Sequence, residues 1–261
     1  MKIATFNVNG VNGRLPRLLE WLHGTRPDVA CLQEIKTSDP RFPIEALRAA
    51  GYDAVWHGQP RHHGVAILAR GEPPRELRRG LPSDGDEGQA RYLEARVAGL
   101  RVASVYLPNG NPQPGPRFDF KLDWFARFNR HAQALLADGE PTLLAGDFNV
   151  VPTDFDIYDP RAWQWDAVLQ PETRRAYEAL LAQGWTDVTR HLHPRDRIYT
   201  YWVDTHAFRR NAGFRMDFLL ASPALRDRIV ATGVDTDHRD REKPSDHAPV
   251  WVELASARMH A

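Results

Sequence analysis

Carboxylates stand at the ends of apolar runs near the start, in the middle and near the end of this chain, and that spacing constrains the fold more than any other feature. Leu32-Gln33-Glu34 follows Val29-Ala30-Cys31, Gly146-Asp147-Phe148-Asn149 follows Leu143-Leu144-Ala145, and Ser245-Asp246-His247 precedes the last apolar run. An adjacent carboxylate and imidazole at a strand entrance are suited to holding a cation and a phosphate oxygen together, a task foreign to a plain turn. Groups so distant in sequence converge only if the whole chain folds around one core. Residues 1–254 therefore read as one domain, with 255–261 as a frayed tail.

Strand patterns lie at 2–8, 28–33, 53–56, 64–69, 92–97, 101–107, 141–146, 215–221 and 249–254. Several are continuous apolar runs of the kind buried on both faces. Helical spacing appears between them: Leu18, Leu19 and Leu22 within 15–23, and Phe118, Leu122, Phe125, Phe128, Ala132 and Leu135 within 117–137. A third helix, 172–183, stops at Gly184. The hairpin-like neighbours 92–97 and 101–107 argue against a strict βαβ repeat. The expected class is α/β, with two packed mixed β-sheets flanked by helices in a four-layer sandwich. Two long loops, 108–116 and 152–171, carry Pro, Gly and aromatic residues and are where function is sought.

Composition excludes several classes. No apolar run approaches the roughly 18 residues of a membrane span, and the start passes directly into a strand pattern instead of a signal peptide. The lone Cys31 lies in an apolar run and reads as a buried small hydrophobe, which fits a cytoplasmic protein. A formal net charge of zero gives no overall attraction to a polyanion, but Arg61-His62-His63, Arg75 to Arg79 and Arg209-Arg210 form local basic clusters. The two His-rich fragments, His62-His63 and His191-Leu192-His193, read as surface groups.

Glu34, Asp147 and Asp246 offer hard oxygen donors, which suit Mg²⁺ or Mn²⁺ better than zinc. A hard cation with several acids and one histidine is the pattern expected for phosphoryl chemistry. Singly, each acid also fits an ordinary role: Glu34 a solvated strand end, Asp147 a turn former, Asp246 an Asx cap.

Taken together, the phrases Phe6-Asn7-Val8-Asn9-Gly10, Leu32-Gln33-Glu34-Ile35-Lys36, Tyr106-Leu107-Pro108-Asn109-Gly110, Gly146-Asp147-Phe148-Asn149, Tyr199-Thr200-Tyr201-Trp202, Arg215-Met216-Asp217-Phe218 and Lys243-Pro244-Ser245-Asp246-His247 resemble the exonuclease III family of Mg²⁺-dependent abasic-site endonucleases. The resemblance spans nearly the full chain. It implies a monomeric DNA-repair nuclease acting on damaged double-stranded DNA. Glu34 would be the principal metal ligand, with Asn7, Asp147, Asn149 and Asp246 around the metal. Asp147 would orient or deprotonate the attacking water, and Asn149 would hold that water or a phosphate oxygen. His247, its tautomer fixed by Asp217, and Tyr106 would donate to the phosphate. Asn109 would contact it, and Trp202, Phe214 and Met216 would wall a pocket for a flipped-out deoxyribose. Asn9 stands where the family has a second acid, and Phe214 where some relatives have Trp.

Incision 5′ of an abasic site, leaving a 3′-hydroxyl, is the leading expectation, accompanied by 3′-phosphatase, 3′-phosphodiesterase and 3′→5′ exonuclease activities. The alternatives are a predominantly 3′-end-processing enzyme with little abasic-site activity and a non-catalytic DNA-binding relative. A lipid- or inositol-phosphate hydrolase is disfavoured because no membrane-facing amphipathic element stands out.

Overall fold

A computed structural model describes residues 1–82 and 88–256. In chain order the strands are β1 (Lys2–Asn7), β2 (Val29–Gln33), β3 (Tyr52–His57), β4 (Val65–Arg70), β5 (Arg75–Arg79), β6 (Tyr92–Val97), β7 (Leu100–Tyr106), β8 (Thr142–Asp147), β9 (Thr186–Asp187), β10 (Asp217–Ala221), β11 (Ile229–Val234) and β12 (Val250–Leu254). The helices are α1 (Leu15–Thr25), α2 (Ile44–Ala49), α3 (Pro116–Ala137), α4 (Pro171–Ala182) and the short α5 (Val188–Leu192), α6 (Thr205–Arg209) and α7 (Pro223–Arg226).

Two six-stranded mixed sheets result, ordered β11-β12-β1-β2-β4-β3 and β5-β6-β7-β8-β10-β9. Their inner faces meet in an apolar core that joins Ile3, Cys31 and Ile67 of one sheet to Val102, Leu143 and Leu219 of the other. One polar stitch crosses this core: Thr5 Oγ1 donates to Gln33 Oε1 at 3.1 Å, and Gln33 Nε2 donates to Ser104 Oγ at 3.0 Å. On the outer face of the first sheet lie α1 and α2, burying Leu18, Trp21, Leu22 and Leu47. Against the second lie α3 and α4, burying Phe125, Phe128, Tyr177 and Leu180. This is the expected four-layer arrangement.

Each sheet contains one parallel pair, β1 with β2 and β7 with β8. A parallel register aligns carboxyl ends, so Asn7 lies opposite Gln33, the residue before Glu34, and Tyr106 lies opposite Asp147. Antiparallel pairing of β10 with β8 places Asp217 opposite Asp147. Six polar side chains from distant segments thereby gather at one end of the facing sheets. Gly146 is required by this packing, because a Cβ there would stand 1.9 Å from the Val105 carbonyl oxygen.

Three details correct the sequence reading. The buried stripe of α3 runs through Lys121 instead of Leu122, which is only half-buried. Segments β5 and β11 form edge strands that the apolar pattern did not reveal. At the tail, Ala255 is tied in place, its N–H donating to the Arg228 carbonyl at 2.8 Å and its carbonyl accepting from Arg228 Nε at 3.0 Å. The remaining tail residues, 257–261, lie outside the described residues.

Candidate active site

Asn7, at the end of β1, places its side-chain amide nitrogen between two acids, 2.9 Å from Glu34 Oε1 and 3.0 Å from Asp147 Oδ2. Its Oδ1 accepts from the Asn9 N–H at 3.1 Å, so this amide presents donors, not an oxygen, to the acidic centre. Asn7 thereby steadies Asp147 and Glu34 beside the place where the resemblance puts the metal. The second oxygen of Glu34 lies 2.6 Å from Lys36 Nζ, which also donates to Asn9 Oδ1 at 2.6 Å. Asn9 in turn donates to Asp246 Oδ1 at 2.9 Å. One chain of contacts therefore links Glu34, Lys36, Asn9 and Asp246. Burial alone would raise both acids, but Asn7 and Lys36 hold the Glu34 carboxyl below its ordinary range, and His247 and Asn9 do the same for Asp246.

Backbone conformation sharpens this corner. Asn9, Glu34, Lys36 and Asn149 all have positive φ, at 46°, 51°, 50° and 45°. Side chains other than glycine seldom adopt that region, at a cost of about 1–3 kcal/mol each, and it aims these four groups away from ordinary strand geometry.

His247 is fully enclosed. Its Nδ1 lies 2.9 Å from Asp217 Oδ2, and its Nε2 lies 3.8 Å from Asp147 Oδ2. Thr200 Oγ1 donates to Asp217 Oδ2 at 2.6 Å, completing that carboxylate's shell. Burial alone would push the imidazole down, but Asp217 and Asp147 push it up to about 10. His247 is therefore an imidazolium at neutral pH, a donor at both nitrogens. Asp147, Asp217 and His247 bring their polar atoms within 4.8 Å of one another, a spacing that also suits a metal. The two carboxylates and the imidazole form an ion-pair network, and the same three residues form a candidate acidic metal-binding cluster. Burial pushes the Asp147 carboxyl up to about 7, against the pull of His247.

Two further residues sit differently from expectation. Tyr106 directs its hydroxyl to Glu34 Oε1 at 2.8 Å, and the Arg91 guanidinium stacks on its ring at 4.7 Å. Asn149 spends its amide on the chain itself, Nδ2 donating to the Leu107 carbonyl at 2.8 Å and Oδ1 accepting from Asn109 Nδ2 at 3.1 Å. Glu34, Asp147 and Asp246 each present carboxylate oxygens, which are hard donors. Asn109 is exposed at the mouth, braced by Asn149.

The aromatic wall is the clearest revision. Backbone bridges join Tyr201 to Phe214 and Tyr201 to His247. Consequently the Tyr201 ring lies 4.8 Å from His247 and 5.6 Å from Phe214. Phe214 and Met216 pack together with Ile157 and Trp163. Trp202, next along an extended segment, points the opposite way into a separate cluster with Tyr199, Ala207 and Ala212. It is 2% exposed, and its indole would strike any Cβ added to Gly213. Tyr201, not Trp202, is the ring that borders His247 and Phe214.

A cleft of about 630 Å³ opens beside Glu34, lined by Lys36, His63, Arg91, Tyr106 and Asn109 among others. His63 is half-buried in it, receiving Arg91 Nη2 at 2.7 Å, and burial together with that cation pushes its ring down to about 4. It is a fixed neutral acceptor, not the surface group the sequence suggested. Beneath the mouth, the fully buried Lys121 donates to the carbonyls of Asn109 at 2.9 Å and Asn149 at 2.6 Å. A lysine on an apolar helical stripe was the available signal for it.

With this geometry in place, the comparisons with known proteins are direct. A model of the endonuclease/exonuclease/phosphatase family matches residues 4–247. The chain belongs to that family. Exodeoxyribonuclease III of Haemophilus influenzae is 36% identical over 267 residues, covering 97% of this chain and 100% of the relative. The 3′ phosphatase NExo of Neisseria, solved with a product DNA hairpin, superposes with a TM-score of 0.93 at 38% identity, covering 97% of this chain and 99% of that one. An AP endonuclease from Archaeoglobus fulgidus superposes equally well, with a TM-score of 0.93, 34% identity and the same coverage. Family membership thus rests on the full length of the chain, including the end of the sandwich where the acids gather. No helix among the described residues is long and apolar enough to cross a membrane.

Proposed function

We propose that this chain is a metal-dependent DNA-repair nuclease that hydrolyses the phosphodiester 5′ of an abasic site in duplex DNA, leaving a 3′-hydroxyl and a 5′-deoxyribose phosphate. The observation that carries this reading is the imidazolium of His247 held between Asp217 and Asp147, beside Glu34 and next to an aromatic wall. Such a cation, fixed in a buried setting, is suited to a non-bridging phosphate oxygen whose charge grows in the transition state. The single-domain reading of 1–254 is supported by the sharing of this site between both sheets.

Glu34, Asp147 and Asp246 would hold Mg²⁺, with Mn²⁺ as a substitute, since their donor atoms are all carboxylate oxygens. When bound, the cation supplies Lewis-acid polarisation of the phosphate and stabilises the leaving oxyanion. Asp147 takes the proton from the water that attacks phosphorus, a role suited to a carboxyl pushed up to about 7 by burial. The bond from phosphorus to the 3′ oxygen of the upstream nucleotide breaks on the far side. Asn7 keeps Asp147 and Glu34 in register. Tyr201, Phe214 and Met216 wall the deoxyribose pocket, where the absence of a base allows entry.

A second reading, predominant 3′-end processing, is favoured by one observation: the Trp163 ring meets Phe214 edge-on at 4.9 Å and adds bulk beside the side chains that would wall that pocket. The deciding experiment uses a labelled duplex with one tetrahydrofuran abasic analogue, assayed with Mg²⁺, with EDTA and with Glu34→Ala. Mg²⁺-dependent incision 5′ of the analogue, lost in the variant, establishes the first reading. Intact analogue strands with Mg²⁺-dependent release of 3′-phosphate establish the second.

A further inference from the structure

The loop 158–170 ends its excursion in a tryptophan that nothing covers. Trp165 is 77% exposed, the most exposed large hydrophobic side chain among the described residues. A mobile loop would make this unremarkable, yet the backbone around Trp165 is pinned from several directions. Its carbonyl accepts from Gln113 Nε2 at 2.9 Å. The next residue, Asp166, accepts from Asn111 Nδ2 at 3.0 Å and from the Val168 N–H at 3.0 Å. Asn111 Oδ1 in turn accepts from the Ala167 N–H at 3.0 Å, and Gln170 Nε2 donates to the carbonyls of Gln164 and Asp166. At the loop's near end, Asp159 accepts from the N–H groups of Arg161 and Ala162.

The two long loops are therefore laced into one rigid rim. That rim is rooted on the site: Asn109 braces Asn149, and Trp163, two residues before Trp165, packs on Phe214. Arg161 on the second loop is exposed, and so is Arg117 of α3, which donates to the Asn111 carbonyl at 3.4 Å, so the rim that carries Trp165 also carries cations. A solvated indole on a pinned rim that also carries arginines matches a flat apolar face joined to a phosphate chain, since a base stacks on the ring while the cations meet its phosphates.

We propose that Trp165 is a stacking platform for an unpaired nucleobase of the substrate strand next to the reacting phosphate, and that it gives the enzyme a preference for frayed or mispaired 3′ ends. This inference rests on the DNA-nuclease reading above. The pocket walled by Phe214 receives the sugar at the reacting centre, and Trp165 receives a base outside it.

The test uses the full chain and Trp165→Ala, with Trp165→Phe as a conservative control. Two hairpin DNAs are compared, one with a mispaired 3′-terminal 2-aminopurine and one with that base paired. Binding in EDTA is read by 2-aminopurine quenching, and processing in Mg²⁺ by KM and kcat. The expected result is about a tenfold loss of affinity and a matching rise in KM for the mispaired end with Trp165→Ala, the size of one lost stacking contact. Quenching disappears, kcat changes less than about twofold, the paired end is little affected, and Trp165→Phe restores most of the binding. Unchanged binding in Trp165→Ala while the parent processes both DNAs overturns the platform and leaves the nuclease reading standing, and so does an equal loss on both ends. A parent chain that neither binds nor processes either DNA overturns both. A circular dichroism spectrum matching the parent's separates loss of contact from loss of fold.

Discussion

The Nδ1 of His247 lies 2.9 Å from the Asp217 carboxylate, and this contact sets the charge on the imidazole that faces Asp147. Asp217 also rests on Thr200, so the pair is held on both sides. Asp217→Asn keeps the shape and removes the anion. Since Asp217 helps push His247 up to about 10, the variant's imidazole loses its proton at lower pH. The alkaline limb of kcat/KM is expected to move downward by at least one pH unit, about 1.4 kcal/mol of lost charge stabilisation. A pH–rate profile checks it, and an unmoved limb removes His247 as the phosphate donor.

Asp147→Asn should fold normally and lower turnover by about a hundredfold or more, the usual consequence of losing a water activator. Near-parent turnover at matched stability would assign the proton transfer to another group.

Tyr201 and Trp202 are neighbours with opposite fates. Tyr201→Ala is expected to reduce incision at the abasic analogue several-fold more than 3′-phosphate release, because it opens the wall beside Phe214. Trp202→Ala should instead lower stability by about 3–5 kcal/mol and leave the ratio of the two activities alone. Urea denaturation and paired activity assays separate the two outcomes.

Lys121→Met removes the only side-chain donor bonded to both the Asn109 and Asn149 carbonyls among the described residues. Leaving buried carbonyls unpaired costs about 1–3 kcal/mol. The melting temperature should fall and kcat should drop with it, since Asn109 and Asn149 lose their common anchor.

His238 packs edge-on against Phe6 at 4.8 Å, and burial pushes its ring from 6.5 down to about 4. The folded protein thus resists a proton that the unfolded chain accepts below pH 6.5. Stability from this group is present above 6.5 and is lost as pH falls toward 4, at up to about 1.4 kcal/mol per pH unit. His238→Gln should flatten the melting temperature between pH 6.5 and 4, and an unchanged slope would show that the ring is protonated in the fold.

Much of the framework was legible because continuous apolar runs leave few options. The runs at 28–33, 141–146 and 249–254 became central strands, and the stripe through Phe118, Phe125 and Phe128 became the long helix. The edge strand β5 escaped notice for a physical reason. Arg75–Arg79 carries mostly exposed charges on an outer position of its sheet, where no apolar pattern is needed. At the site, Glu34, Asp147, Asp246 and His247 stood out as acids and an imidazole at strand ends, and Asp217 came only with the family resemblance. Their partners did not, because hydrogen bonding depends on register. Asn7, Tyr106 and Asn149 turned inward to neighbours once the parallel pairs aligned, and the choice between Tyr201 and Trp202 lay in one isolated bridge to Phe214. Lys121 was overlooked because lysine ordinarily marks the wet side of a helix.

The antiparallel pairing of β12 with β1, Lys2 opposite Glu253, closes the first sheet through its middle using residues from the two extremes of the chain. Asp246 and His247 enter the site immediately before that strand. The acids that follow β2 and close β8 therefore share their site with an imidazole that is held in place by the pairing of β12 with β1.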